Sequence, residues 1–192
     1  MASMIVHTGR SSSSSSSSTS RRRILKLLVA RDQSGSEHVV SAEAEKGAAD
    51  YLFSLLSWSM PVNTLINVLS RNPMVGCVRN LYDSVETLPS SFICHRDARA
   101  ARDALLRPTD SSSRPGGFVL AGVNYVVRDD LSITPPSNIT AGLTMLNNRA
   151  FLREMVVPLG DIQGAQILNK SMVTRRVLTH VYLRGPRALT AP

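Results

Sequence analysis

The stretch Tyr51–Ser70, with the sequence YLFSLLSWSMPVNTLINVLS, contains no charged side chain. A membrane-spanning helix needs about 20 apolar residues, so the stretch is long enough to be one. Polar residues recur along all of it, however, and Pro61 interrupts the middle. A polar side chain without a partner costs several kcal/mol in hydrocarbon, and a single span offers no partner. We therefore predict that this stretch does not span a membrane.

The apolar residues of the same region follow the period of a helix. One stripe precedes Pro61 and another follows it, and proline is tolerated in the first turn of a helix. The stripes are Ala48, Leu52, Leu55 and Leu56, and then Val62, Leu65, Ile66 and Leu69. The pattern predicts two consecutive helices in a globular core. Phe53 and Trp58 are predicted to be core residues, or part of a partner-facing patch if the first helix is only half covered.

Length and composition are typical of one globular domain. The chain has 192 residues, of which 43% are hydrophobic. Its formal charge of +8 comes mainly from arginines scattered along the chain, and only 5% of its residues are aromatic. Nucleic acid is therefore not expected as a partner, because its binding needs clustered cations and, for single strands, stacking rings. The two cysteines, Cys77 and Cys94, without a secretory signal, predict a reducing compartment.

Residues 1–23 differ in composition from the rest of the chain. They contain the run SSSSSSSSTS followed by RRR, and they include no acidic residue. Such a segment buries too little apolar surface to offset the entropy of ordering, so we predict a disordered, low-complexity leader. The same features fit an organelle transit peptide. A cytoplasmic location is expected, with an organelle as the alternative.

Strand and helix patterns alternate after the leader. ILKLLVA and HVVSAEA predict a first hairpin with Gly35 in its turn, and GFVLAGVNYVV and LSIT predict a second. Further helices are predicted from Val75 to Val85, over ARAARDALL, from Ile139 to Leu146 and from Asp161. EMVVPL and the closing RVLTHVYL are predicted to be strands.

These elements predict a single α+β domain over residues 24–185, followed by a tail at 186–192. Val29–Asp32 and Val126–Asp129 share the pattern Val-x-Arg-Asp, and each is placed before a turn and a second strand. This echo predicts two hairpin-plus-helix units packed in one domain. The halves, 24–107 and 117–185, are joined by residues 108–116, PTDSSSRPG, which we expect to be flexible.

Four blocks carry a family resemblance. They are LKLLVA…VSAEAEKGAADYLFSLLS, NPMVGCVRNLYDSVETLP, YVVRDDLSITPPSNITAGLTMLN and ILNKSMVTRRVLTHVYL. In this order and spacing, across residues 25 to 183, they resemble the plant family called domain of unknown function 674. The resemblance implies a plant origin and a soluble intracellular protein, with the chloroplast as the organelle alternative. It implies no established activity.

One departure from that family concerns metal binding. Relatives often carry CxxC pairs of zinc-ribbon type before the YVVRDDLSITP-like block, whereas this chain passes through TDSSSR directly to PGGFVLAGVNYVV. Structural zinc needs four thiolate or imidazole ligands. Cys94 and His95 are adjacent, and Cys77 is distant in sequence. We therefore predict a short member of the family without a metal site.

Two motifs resemble parts of phosphate-handling enzymes. His95-Arg96-Asp97 spells the start of a kinase catalytic loop, but the other kinase motifs are missing. Gly117 and Gly122 are spaced like part of a phosphate-binding loop, but no Lys-Ser/Thr pair follows them. We interpret the first motif as a coincidence and the two glycines as breaks within a predicted strand.

The other polar candidates have structural explanations. Cys94 beside His95 has no evident third group to orient a nucleophile and its base. Asp129-Asp130 could contact a cation, but paired acids are typical of a hairpin turn. His180 alternates within a predicted strand and is expected to be a half-buried packing residue.

We therefore predict no catalytic, cofactor-binding or metal-binding residue, and no cofactor. The favoured hypothesis is a non-enzymatic protein-interaction or scaffold module with an unknown protein partner. The alternative is an enzyme or small-ligand binder whose site brings together Cys94, His95 and Asp129. A concave pocket with clustered titratable groups would favour the alternative. The sequence does not determine the oligomeric state.

Overall fold

The first two strands are joined by a tight turn. The computed structural model describes residues 23–58, 77–106, 117–136 and 151–184; in it, β1 is Ile24–Arg31 and β2 is Glu37–Ala44. Gly35 in the turn has a φ of 81°, which residues with a Cβ rarely adopt. The Asp32 carboxylate accepts hydrogen bonds from the N–H groups of Ser34 and Ser36, each 2.9 Å long. The predicted first hairpin is confirmed.

Within the described residues, five antiparallel strands form one sheet in the order β4-β3-β2-β1-β5. β3 is Tyr125–Arg128, β4 is Ile133–Thr134 and β5 is Phe151–Pro158. β1 thus lies between its sequence neighbour β2 and the distant β5. The second hairpin and the strand at EMVVPL are confirmed.

β3 begins later than GFVLAGVNYVV predicted. A turn at Ala121-Gly122 breaks that stretch, and Gly122 has a φ of 78°. Before the turn, Val119 forms only an isolated antiparallel bridge with Ile93. The apolar residues of the stretch are therefore divided between a loop and a short strand.

Four α-helices lie in the described part of the chain. They are α1 (Lys46–Trp58), α2 (Val78–Thr87), α3 (Ala98–Leu106) and α4 (Asp161–Ser171). A short 3-10 helix, Ser90–Phe92, lies between α2 and α3. All four helices occur where the sequence predicted one. α1 contacts each of the other three, and its Leu52 and Phe53 are fully buried, as the periodicity predicted.

The two faces of the sheet differ in exposure. One face packs with the helices, and its central side chains are at most 1% exposed: Leu25, Leu27, Ala42, Ala44, Tyr125 and Val127. On the other face Val156 is 62% exposed and Ile24 is 39% exposed. We call this second surface the open face and define it as Ile24, Lys26, Leu28, Glu43, Val126, Glu154 and Val156.

The closing segment RVLTHVYL is helical, so the prediction of a strand there was wrong. The helix begins at Val177 and includes a π-helical turn, Thr179–Leu183; we call residues 177–183 the closing helix. Buried apolar residues at 177, 178 and 181 fit one face of a helix, so the sequence pattern did not require a strand. The Asp129 carboxylate favours the helix because it accepts hydrogen bonds near its start.

Several predictions lie outside the described residues. They concern the leader up to residue 22, the helix after Pro61, the joint at 108–116, the helix from Ile139 to Leu146 and the tail at 186–192. The α+β fold class is confirmed, and strands from both halves share one sheet. Among the described helices, none has the length and apolar character needed to cross a membrane.

Candidate functional site

A cleft of about 630 Å³ opens where β2 leads into α1. Its walls are Arg23 and Ile24, the residues Glu45–Ala48 and Asp50, and the turn 121–124. Small-ligand sites have volumes of about 300–1,000 Å³, so the cleft is large enough for a small molecule. Four of its residues are charged: Arg23, Glu45, Lys46 and Asp50. The cleft is therefore the candidate site for binding a small molecule.

Lys46 and Asp50, one helical turn apart on α1, form an ion pair with 3.0 Å between Nζ and Oδ2. Oδ1 of Asp50 accepts hydrogen bonds from the N–H groups of Phe118 and Val119, at 2.7 and 2.9 Å. The Lys46 ammonium donates to the carbonyl of Val119. Both charged side chains thus hold the backbone of Phe118 and Val119 on α1. We call this arrangement the Asp50 clamp.

Gly117 completes the Asp50 clamp because it leaves room for the carboxylate. Its φ is 78°, and a Cβ at this position would lie 1.9 Å from Oδ2 of Asp50. Next to it, the ring of Phe118 packs edge-to-face on Phe53, with 5.5 Å between centroids. Gly117 therefore permits the close approach of this backbone to Asp50 of α1.

Arg23 on another wall of the cleft is also engaged. Its guanidinium carbon lies 3.9 Å from the centre of the Tyr51 ring, and its Nη2 lies 3.3 Å from Oδ1 of Asp161. The Tyr51 hydroxyl donates to the carbonyl of Gly160 at 3.2 Å. Burial, and then the negative charge of Asp161, raise the pKa of Tyr51. The phenol therefore stays protonated, and Arg23 fastens α1 to the start of α4.

A second aspartate holds the C-terminal part of the chain. Asp129 follows β3, and its Oδ1 and Oδ2 accept hydrogen bonds from the N–H and the hydroxyl of Thr179, at 2.8 and 2.7 Å. The same hydroxyl oxygen accepts a hydrogen bond of 2.8 Å from the N–H of Val39 on β2. Burial raises the pKa of Asp129, although the hydrogen bonds from Thr179 oppose this effect. We call this arrangement the Asp129 clamp.

The structure places Cys94, His95 and Asp129 in separate roles. Cys94 is exposed, and its N–H donates to the carbonyl of Phe118 at 2.8 Å. His95 is also exposed, and its Nδ1 accepts the N–H of Asp97 at 3.3 Å. Asp129 is bound to Thr179 instead. In the described part of the chain, no hydrogen bond or ion pair joins the three. The other histidine singled out from the sequence, His180, is half-buried on the closing helix.

Cys77 is buried, and its thiol donates to the carbonyl of Thr174 at 3.1 Å. Burial, and then the charge of Asp130, raise the pKa of Cys77 to about 12. The thiolate form that a nucleophile or a metal ligand needs is therefore disfavoured. Among the described residues, no three His, Cys, Asp or Glu side chains are grouped closely enough to hold a metal ion.

The sequence reasoning missed both clamps. Lys46 and Asp50 have the i, i+4 spacing of a helical ion pair, which was a usable local signal. Their bonds to Phe118 and Val119 join residues far apart in sequence, for which no local signal exists.

A sequence model described as Protein of unknown function (DUF674) matches residues 19–115, about half of the chain. The matched range contains the first two of the four resembling blocks; the other two follow it. A search of curated proteins and a search of solved structures gave no significant match. The match establishes kinship without assigning an activity. The chain belongs to the DUF674 family of proteins of unknown function.

Proposed function

We propose that this chain is a non-enzymatic protein-interaction module that binds a protein partner through the open face. The observation that carries the proposal is the exposure of Val156 and Ile24, at 62% and 39%. Single exposed apolar residues are normal on protein surfaces. Here, however, both belong to a sheet face that also holds the half-buried Leu28 and Val126.

The strand register places Val156 and Val126 at the two ends of one row of side chains across the sheet. Lys26 lies opposite Val156 of β5 and opposite Glu43 of β2, and Glu43 lies opposite Val126 of β3. Directly opposed residues on antiparallel strands have Cβ atoms about 4.5–5.5 Å apart. The row therefore combines apolar side chains with one charge of each sign. Mixed surfaces of this kind are typical of non-obligate protein interfaces.

The interactions of the charged side chains in the cleft also support a non-enzymatic role. Lys46 and Asp50 hold the backbone of residues 118 and 119, and Arg23 is bound to Asp161. A catalytic group must reach the substrate with its reactive atoms. Three of the four charged side chains of the cleft are instead engaged in holding the fold.

The proposal is tested by placing a charge on the open face. Tagged Val156→Lys and a matched control, Ile162→Lys, are expressed in the protein's own cells, and the proteins that copurify are compared with those of the wild type. Ile162 is also exposed, at 72%, but lies on α4 outside the open face. We expect Val156→Lys to lose a reproducible partner that Ile162→Lys keeps. Equal recovery of every partner by both variants would contradict the proposal.

A small-ligand binder is the second candidate, and the volume of the cleft favours it. Thermal unfolding in the presence of a panel of charged metabolites tests this function. A rise in melting temperature that disappears in Ala121→Trp, which would fill the cleft, would support a binder. No shift with any compound is expected for an interaction module.

We also propose that this is a plant protein whose single domain, residues 24–185, works in the cytoplasm. The chloroplast remains the alternative, because the composition of residues 1–23 fits a transit peptide. Residues 1–23 fused to a fluorescent protein in leaf cells test the location. A diffuse signal is expected, and import into chloroplasts with shortening of the fusion would favour the alternative.

A further inference from the structure

We propose that a basic loop between α4 and the closing helix binds an acidic polypeptide segment. We define the basic loop as Lys170, Val173, Arg175 and Arg176, together with Arg128 at the end of β3. From Lys170 to Arg184 the chain has four basic residues and no acidic one. After the leader, this segment is the longest in the closing part of the chain to carry several cations without an acid, since Glu154 and Asp161 precede it.

Hydrogen bonds fix the backbone of the basic loop. The N–H groups of Val173 and Thr174 donate to the carbonyl of Lys170, each at 3.0 Å, and the N–H of Arg176 donates to the hydroxyl of Thr174 at 3.1 Å. The N–H of Val177 donates to the carbonyl of Asp129 at 2.8 Å, which brings Arg176 next to the turn that Arg128 precedes. A surface ordered in this way loses less entropy when it binds a partner.

The arginines of the basic loop are available for a partner. Arg128, Arg175 and Arg176 are exposed, and no carboxylate in the described residues forms an ion pair with them. By contrast, Arg23, Arg79 and Arg153 each form an ion pair within the chain. The two acids of the adjacent turn accept their hydrogen bonds from other groups: Asp129 from Thr179, and Asp130 from the N–H and hydroxyl of Ser132. The charge of Arg176 acts on Asp129 only at longer range, without an ion pair.

Val173 favours a polypeptide over nucleic acid as the occupant. It lies among the cations and is 72% exposed. An apolar side chain gains free energy by contact with another apolar side chain, but not with a phosphate. Between Lys170 and Arg176 there is also no aromatic ring on which a base could stack. The chemistry therefore fits an acidic segment that carries one apolar residue.

Fluorescence anisotropy with a short labelled peptide, in which glutamates flank one leucine, tests this inference. We expect salt-sensitive binding that weakens about tenfold in Arg175→Glu/Arg176→Glu, because two attractive contacts become repulsive. Arg96→Glu/Arg99→Glu is the matched control, since it makes the same charge change at exposed positions near the start of α3. The control should change the affinity less than about twofold. Circular dichroism checks that both variants fold.

Three results would overturn the inference: no peptide binding at low salt, equal weakening in both double variants, or tighter binding of a single-stranded RNA of equal charge. The inference rests on the proposed function only in assuming a polypeptide partner. Of the basic loop, only Arg128 is on the same side of the sheet as the open face, and β2 and β1 lie between its strand and that of Val156. Val156→Lys should therefore bind the peptide like the wild type. Failure of the peptide experiment leaves the test of the open face unaffected, and the reverse also holds.

Discussion

Two aspartates of this chain fasten distant segments by different chemistry. In the Asp50 clamp, the carboxylate is paired with the Lys46 ammonium and accepts two backbone N–H groups. In the Asp129 clamp, the hydrogen bonds to the carboxylate come from neutral groups, chiefly the N–H and the hydroxyl of Thr179. The charge of Asp50 is balanced by Lys46. The Asp129 carboxylate is partly desolvated, and it forms no ion pair within the described residues.

Two carboxylates that hold the backbone in a similar way therefore contribute stability that depends on different solution conditions. A balanced ion pair weakens in salt because mobile ions screen it. Asp129 has no close ion pair, and burial outweighs both its hydrogen bonds and the charge of Arg176, so its ionised form is disfavoured and its free energy depends more on pH than on salt. Variants of each clamp should therefore separate the two effects.

The largest effect is expected for Gly117→Ala. The new Cβ would meet Oδ2 of Asp50 at 1.9 Å, and the φ of 78° is strained for alanine. We expect a loss of about 3 kcal/mol or more in the free energy of unfolding, measured with urea. Gly122→Ala is the control, since its φ is also 78° but no atom lies within 4 Å. It should cost about 1–2 kcal/mol, from backbone strain alone. Equal losses would mean that the Asp50 clamp is not rigid.

Removal of the second carboxylate should cost less. Asp129→Ala leaves the N–H and the hydroxyl of the buried Thr179 without this acceptor, so we expect a loss of about 2 kcal/mol. Asp129→Asn keeps one acceptor oxygen and should lose about half as much. Urea unfolding at neutral pH measures both. If alanine were tolerated as well as asparagine, the hydrogen bonds to Thr179 would not hold the closing helix.

The pH dependence of Asp129 has a definite sign. Its folded-state pKa is raised above the unfolded value, so the folded chain binds this proton more tightly. Its contribution to stability therefore increases as the pH falls through the folded pKa towards the unfolded value of about 4. The stability of the wild type relative to Asp129→Asn should rise over that range. A difference that stays constant or shrinks on acidification would contradict this explanation.

The smallest effect is expected for Lys46→Met, which removes the charge and keeps most of the hydrocarbon chain. The Lys46 and Asp50 side chains are 25% and 20% exposed, so screening by solvent limits the loss to about 1 kcal/mol. The loss should shrink in high salt, whereas the loss in Asp129→Asn should not. Unfolding at two salt concentrations measures this contrast. Equal salt sensitivity in the two variants would remove the distinction between the clamps.

The local sequence was sufficient to predict the elements whose formation depends on nearby residues. The hairpin β1–β2 follows from two strand-like runs on either side of a turn-rich segment, and helix α1 follows from a helical stripe. The closing helix was missed because its buried positions also fit a strand, and the deciding acceptor, Asp129, lies 50 residues away. The cleft and the clamps could not be predicted for the same reason: Asp50 and Phe118 are 68 residues apart.

The position of β1 in the sheet has a consequence for synthesis on the ribosome. β1 pairs with β2 on one side, and on the other it needs β5, which is made more than a hundred residues later. A nascent chain that ends near residue 115 would contain β1, β2 and the first three helices, but both outer edges of its hairpin would be unpaired. Such edges invite pairing with other chains. The range that identifies the family, 19–115, is therefore not expected to fold by itself.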